Sequence, residues 1–146
     1  MEYSLYIVDR DSGAELSGAV SREKLKTEAA RAISLIRSWP DYAATPLRKL
    51  PGLAQKMTVG RIEIKDEAGR FGLGSFKALG GAYAISRLLA GRHSGSTLTV
   101  CCATDGNHGR SVAWGAQMFG CNCVVFIHQA VSEERKKSIE HYGARV

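Results

Sequence analysis

The chain has 146 residues, 45% of them apolar and 23% charged, with a formal charge of +6. That composition fits one soluble globular domain and excludes disordered and fibrous chains. No apolar run nears the roughly 20 residues that span a bilayer. The opening MEYSLYIVDRDSG puts acids where a secretory leader needs a basic start, so the cytoplasm is expected.

Residues 1–20 hold one short apolar stretch, from Leu5 to Val8. Between Ser21 and Trp39, the apolar residues Leu25, Ala29, Ala32, Ile33 and Ile36 recur at helical spacing, with Ser21 as cap and Pro40 as stop. Residues 41–60 carry Pro46 and Pro51 and read as irregular chain with one helical turn. Residues 1–60 thus form a lead-in segment with one helix. Residues 61–65 alternate like a strand, and a loop with Gly69, Gly72 and Gly74 follows. A helix starts at Ser75 and runs to about Ala90. Residues 97–103 and 122–127 are apolar, β-branched runs of the kind found in buried strands. Between them, a polar turn over 104–109 opens a helix that reaches Phe119 and stops at Gly120. Ser132 caps a last helix, with Glu133 and Glu134 favourably placed in its first turn, and Gly143 ends it. Residues 144–146 begin another strand.

The order over 61–146 is β-α-β-α-β-α-β, which argues for an α/β fold, a parallel sheet with helices on both faces. Ligands of such sheets bind beyond the carboxyl ends of the strands, where the loops 66–74 and 104–109 lie. Cys101-Cys102 and Cys121-Asn122-Cys123 lack the spacing of a zinc knuckle, so buried free thiols and no metal are expected. The basic residues are scattered and mixed with Glu, as at Arg22, Lys24 and Lys26 or at Arg135 to Lys137, which speaks against a nucleic-acid partner. The positive balance also suits an anionic cofactor or substrate.

The loop GRFGLG feeds directly into Ser75-Phe76-Lys77. With Ser75 as N-cap, Lys77 falls in the first helical turn, where the helix dipole disfavours a cation. Dipole and burial both leave more of an amine neutral and nucleophilic, the environment that a lysine forming an imine needs. A lone lysine after a glycine loop is usually just solvated. No third glycine completes a dinucleotide fingerprint, since Lys77 occupies its place, and no GxxxxGK[ST] loop occurs. The second loop, Thr104-Asp105-Gly106-Asn107-His108-Gly109, gives the lysine a context. It ends a strand, opens a helix whose amides face an anion, and adds a hydroxyl, an amide and a carboxylate able to move a proton.

SFK followed by GNH about thirty residues on resembles the fold-type II pyridoxal-phosphate enzymes, which include threonine dehydratases and tryptophan synthase β chains. The longer strings KDEAGRFGLGSFKALGGAYA and ATDGNHGRSVAWGAQMFGC closely resemble the diaminopropionate ammonia-lyase family, and the resemblance runs from about Tyr42 to Val146. It implies pyridoxal 5'-phosphate as cofactor, with Lys77 carrying it as an imine and able to take the substrate Cα proton. Phe76 would lie near the cofactor ring, a place equally suited to a core residue. Asn107 would bond the phenolic oxygen. Thr104 and the amides after it, from Gly106 to His108, would hold the substrate carboxylate, though His108 is better read as structural. Asp105 would be a second acid/base group, acting on the opposite stereoisomer; the dehydratases usually carry a small residue there. His93, His128 and His141 fall into no catalytic spacing.

The implied reaction is α,β-elimination of ammonia from 2,3-diaminopropionate, giving pyruvate and ammonia, by a cytoplasmic homodimer in amino-acid catabolism. Two alternatives stay open: a serine or threonine dehydratase of the same fold, and a non-catalytic module that binds the cofactor or an amino acid. The resemblance also implies an incomplete unit. The family's phosphate cup and the residue at its pyridine nitrogen would lie beyond Val146, so these residues alone are expected to be inactive.

Overall fold

The computed structural model describes residues 21–90, 98–104 and 106–146. The stretch from Leu5 to Val8, His93, Thr97 and the candidate acid Asp105 lie outside the described residues. Helix α1 (Arg22–Arg37) starts as expected, with the Ser21 hydroxyl accepting from the Lys24 amide. Its apolar side is only loosely covered, for Leu25 and Ile33 stay exposed.

The strand expected over 61–65 forms as β2 (Glu63–Lys65), but it does not join the parallel sheet. It pairs antiparallel with β1 (Leu47–Lys49), Arg48 facing Ile64, in a separate two-stranded ribbon. Alternation identifies a strand but carries no information about its partner. Here the bonds from Leu50 N to Ile62 O and from Asp66 N to Pro46 O extend the pairing at both ends. Between the two strands, the short helix α2 (Pro51–Lys56) places its proline at the first turn, where no amide partner is lost.

Helix α3 (Lys77–Leu89), β3 (Thr99–Ala103), α4 (Asn107–Phe119), β4 (Asn122–Phe126) and α5 (Glu133–Glu140) then alternate. Strands β3 and β4 pair in parallel, and a parallel bridge from Val124 to Arg145 starts the next strand where the sequence predicts it. Gly120, in the left-handed conformation at φ +70°, ends α4 as expected.

The two strands are not buried on both sides. Val100, Cys123 and Val125 face a core completed by Ile85 of α3, Val112, Ala113 and Ala116 of α4, and Ile139 of α5. Thr99, Cys101, Ala103 and Phe126 point the other way and are exposed. Among the described residues the packed helices all lie on one side, so strand alternation divides each run into a dry and a wet half. The thiols divide likewise. All four are free, but only Cys123 is buried, and Cys101 is exposed. Burial, with the neighbouring thiols adding to it, pushes Cys123 up to about 11. No described helix is long and apolar enough to cross a membrane.

Helices α3 and α4 meet through their smallest residues. A Cβ on Gly81 would sit 2.2 Å from Ser111 Oγ, and one on Gly115 would sit 2.8 Å from Ala82 Cα. The glycine loop ahead of α3 is held by an ionic knot. Arg70, 6% exposed, donates to Glu67 at 2.7 and 3.0 Å, to Ala43 O at 2.8 Å and to Thr45 Oγ1 at 3.0 Å. Its guanidinium also lies 5.6 Å from the Tyr42 ring centroid. Asp66 pairs with Arg48 at 2.5 Å and accepts from the Ala68 amide.

Two outcomes are expected. Gly115→Ala should destabilise the chain by about 1–3 kcal/mol in denaturant unfolding, because a backbone must retreat to admit one methyl. The second concerns acid. The Arg70 hydrogen bonds, opposed by burial and aided by Thr45, hold the Glu67 carboxyl at about 2 against an ordinary 4.5. Its folded value is depressed, so its stabilisation is present above about pH 4.5 and is lost as pH falls toward 2. Melting curves of Glu67→Gln should be lower than the parent's at pH 7 by roughly 5 °C or more. They should converge with the parent's in acid, and a gap that persists at pH 2 would count against the knot.

Candidate active site

Both site loops are set by their neighbours before any ligand is considered. On the first, Phe71 adopts φ +49°, and its ring packs 4.8 Å from Trp114 and 6.0 Å from Trp39, centroid to centroid. Leu73 is buried next to it, and Gly72 and Gly74 take the left-handed turns at φ +70° and +66° that a side chain would resist. The chain then enters α3, where the Ser75 hydroxyl accepts from the Lys77 amide at 3.2 Å. Lys77 is the first residue of the helix, in the first turn as the sequence predicts. Its side chain is exposed, however, and not in the buried setting expected of it. Ala78 beside it is buried, so the first turn of α3 has one covered side and one, carrying Lys77, that faces outward.

On the second loop, the Thr104 amide donates to Phe126 O at 2.9 Å, the last rung of the β3–β4 pair. Asn107 begins α4, and the first helical bond runs from Arg110 N to Gly106 O. The amides of Asn107, His108 and Gly109 precede it and are unclaimed by the helix ladder. Gly109 lets the helix press onto the strand ends, since a Cβ there would lie 2.6 Å from Thr104 Cγ2 and 2.9 Å from Val125 Cγ1.

The two loops open on one cleft of about 370 Å³, lined by Lys77, Thr104, Gly106, Asn107, Arg110, Arg135 and Ser138. Four candidate residues therefore meet: Lys77, Thr104, Gly106 and Asn107. Phe76, 63% exposed, does not line the cleft, and His108 points to solvent. Asp105 lies in the connection between Thr104 and Gly106, outside the described residues.

Three lining residues were not anticipated. Arg110 stands three positions after Asn107, on the same helical face, so its spacing was a usable signal. Arg135 and Ser138 come from α5, which only tertiary packing brings to the cleft. The resulting lining carries three cations and no carboxylate among its described members. In the loop ahead of Lys77, Asp66 and Glu67 are occupied by Arg48 and Arg70. An anion is the natural occupant. A larger cleft of about 510 Å³ between α2 and the ribbon contains none of the candidate residues.

This geometry has counterparts in known proteins. Diaminopropionate ammonia-lyase of Salmonella typhimurium is 40% identical over 72% of this chain and 31% of its own length. The crystal structure of holo diaminopropionate ammonia-lyase from Escherichia coli superposes with a TM-score of 0.77 and 38% identity. That match covers 82% of this chain and 34% of the other. A pyridoxal 5'-phosphate-dependent aspartate racemase matches at TM-score 0.70 and 28% identity, over 83% of this chain and 36% of that one. The chain thus spans about a third of the length of these relatives. The profile of one family, described as pyridoxal-phosphate dependent enzyme, matches residues 39–146, and the chain belongs to that family, whose cofactor is pyridoxal 5'-phosphate.

Proposed function

We propose that this chain supplies the lysine half of a diaminopropionate ammonia-lyase site, in a protein that converts 2,3-diaminopropionate and water to pyruvate and two molecules of ammonia. One observation carries the reading. Lys77 and Asn107, thirty residues apart and each the first residue of its helix, face the same cleft. The donor set fits the cofactor, since an aldehyde meets an amine and a phenolate oxygen meets an amide, and the cationic lining suits anionic ligands in general.

When bound, pyridoxal phosphate supplies an electron sink for the Cα carbanion. Lys77 would hold it through Nζ and would be the base for the Cα proton. The Asn107 amide donates to the phenolic oxygen. The Thr104 hydroxyl and the first amides of α4 hold the substrate carboxylate at the positive end of the helix dipole. Asp105 would serve as a second acid/base group, which would admit the other enantiomer. Loss of the β-amino group as ammonia leaves an α-nitrogen that water displaces as the second ammonia. The side chains of Phe76 and His108, off the cleft, take no step. The reading includes a cytoplasmic homodimer in amino-acid breakdown. It takes residues 1–146 alone to be inactive, because Lys77 stands open to solvent.

Borohydride reduction after incubation with pyridoxal phosphate, followed by peptide mapping, should place the adduct on Lys77. An adduct confined to Lys56 or Lys65 would overturn the assignment. In the protein that carries this chain at its relatives' length, Asp105→Asn should lower turnover of one diaminopropionate enantiomer by about 10²-fold or more, and spare the other. Equal rates on both would remove Asp105 from the mechanism.

A further inference from the structure

One of the three cleft residues that sequence reasoning passed over has contacts beyond the cleft. Arg110 sends Nη1 to Leu73 O at 3.2 Å and Nη2 to Gly72 O at 3.5 Å. Its guanidinium carbon lies 5.8 Å from the Tyr142 ring centroid, and its Nε is buried without a hydrogen bond. The next residue, Ser111, is fully buried and donates to Lys77 O at 2.5 Å. Two consecutive residues of α4 therefore hold three carbonyls of the other motif, those of residues 72, 73 and 77. The span between them contains Gly74, which has no side chain to fix its turn.

We infer that Arg110 is a positioning residue for Lys77, one that sets where the amine stands by clamping the carbonyls of Gly72 and Leu73 against the start of α4. The inference rests on the proposed cofactor site. A guanidinium suits the task because its planar fork offers two donors to successive carbonyls, while an ammonium offers a point charge. The hydrogen bonds are long for their kind, so their contribution to global stability is small. Their effect falls on the span that leads into Lys77, and a displacement of about 1 Å at a reacting group is costly.

The test uses pyridoxal phosphate and the protein that carries this chain at its relatives' length, as parent, Arg110→Met and Arg110→Lys. The Lys77 lone pair forms a bond to the aldehyde carbon, the aldehyde oxygen leaves as water, and borohydride then delivers hydride to that carbon. Two quantities are read at a temperature where melting curves show each chain folded. One is the ratio of adduct on Lys77 to adduct on all other lysines; the other is the visible circular dichroism per mole of unreduced Lys77 adduct, which reports a fixed orientation. Both should fall in both variants, the ratio by about ten- to a hundredfold. Should Arg110→Met unfold, Arg110→Lys, which keeps stem and charge beside Tyr142, decides alone. Parent-like values in Arg110→Lys would overturn the clamp, because charge alone would then suffice. Parent-like values in both variants would overturn any positioning role for Arg110 while leaving the Lys77 assignment intact. A parent chain that takes no adduct at Lys77 would end both readings.

Discussion

Two thirteen-residue helices can share a core only where their side chains let the backbones approach, and α3 and α4 meet at such a place. Gly81 lies under Ser111, and Gly115 lies over Ala82, in both cases closer than any added carbon would permit. This contact does more than fill space. It brings Ser111 to the Lys77 carbonyl and Arg110 to the carbonyls of Gly72 and Leu73, so the two loops that carry the chemistry are fixed relative to each other. The same close fit recurs at Gly109, where α4 rests on Thr104 and Val125. Small residues at three points therefore decide where the first turn of α4 lies, and with it the rear wall of the cleft.

Charge is arranged to the same end. Asp66 and Glu67 stand in the loop before Lys77, and free carboxylates there would oppose an anionic ligand. Each is paired, Asp66 with Arg48 and Glu67 with the buried Arg70, and none of the four lines the cleft. The pairs stiffen the loop and leave the cleft to Lys77, Arg110 and Arg135. Such pairing is worth more for placing the loop than for global stability, since burying Arg70 has its own desolvation cost.

Much of this was legible in the residues. Helix starts at Ser21 and Ser132 and the stop at Gly120 follow from local capping chemistry, which operates within a few residues of chain, whereas α5 ends at Glu140, short of the expected stop at Gly143. The position of Lys77 at a helix start and the meeting of Thr104, Gly106 and Asn107 around it follow from the order of the two glycine-rich motifs, each just ahead of a helix. What sequence could not convey is pairing at a distance. Residues 61–65 show a strand's alternation, but nothing in it tells that residues 47–49 claim its edge. The apolar runs of β3 and β4 look buried on both sides because Cys, Val and Ala suit either environment, and cover comes from other elements. Arg135 and Ser138 sit on an exposed, charged helix whose approach to the cleft depends on Ile139 packing in the core.

The aromatic packing behind the glycine loop has an optical consequence. The chain contains two tryptophans, and both Trp39 and Trp114 stand within about 6 Å of the Phe71 ring, centroid to centroid. They also lie edge to face with each other at 6.1 Å, and Phe119 closes the group from the far end of α4. Tryptophan emission from this chain therefore originates at a single place, the back of the loop whose front carries Lys77. Any occupant that tightens or loosens that loop changes the surroundings of both indoles at once. The glycine loop ahead of Lys77 thus comes with its own built-in fluorophores, packed against its Phe71.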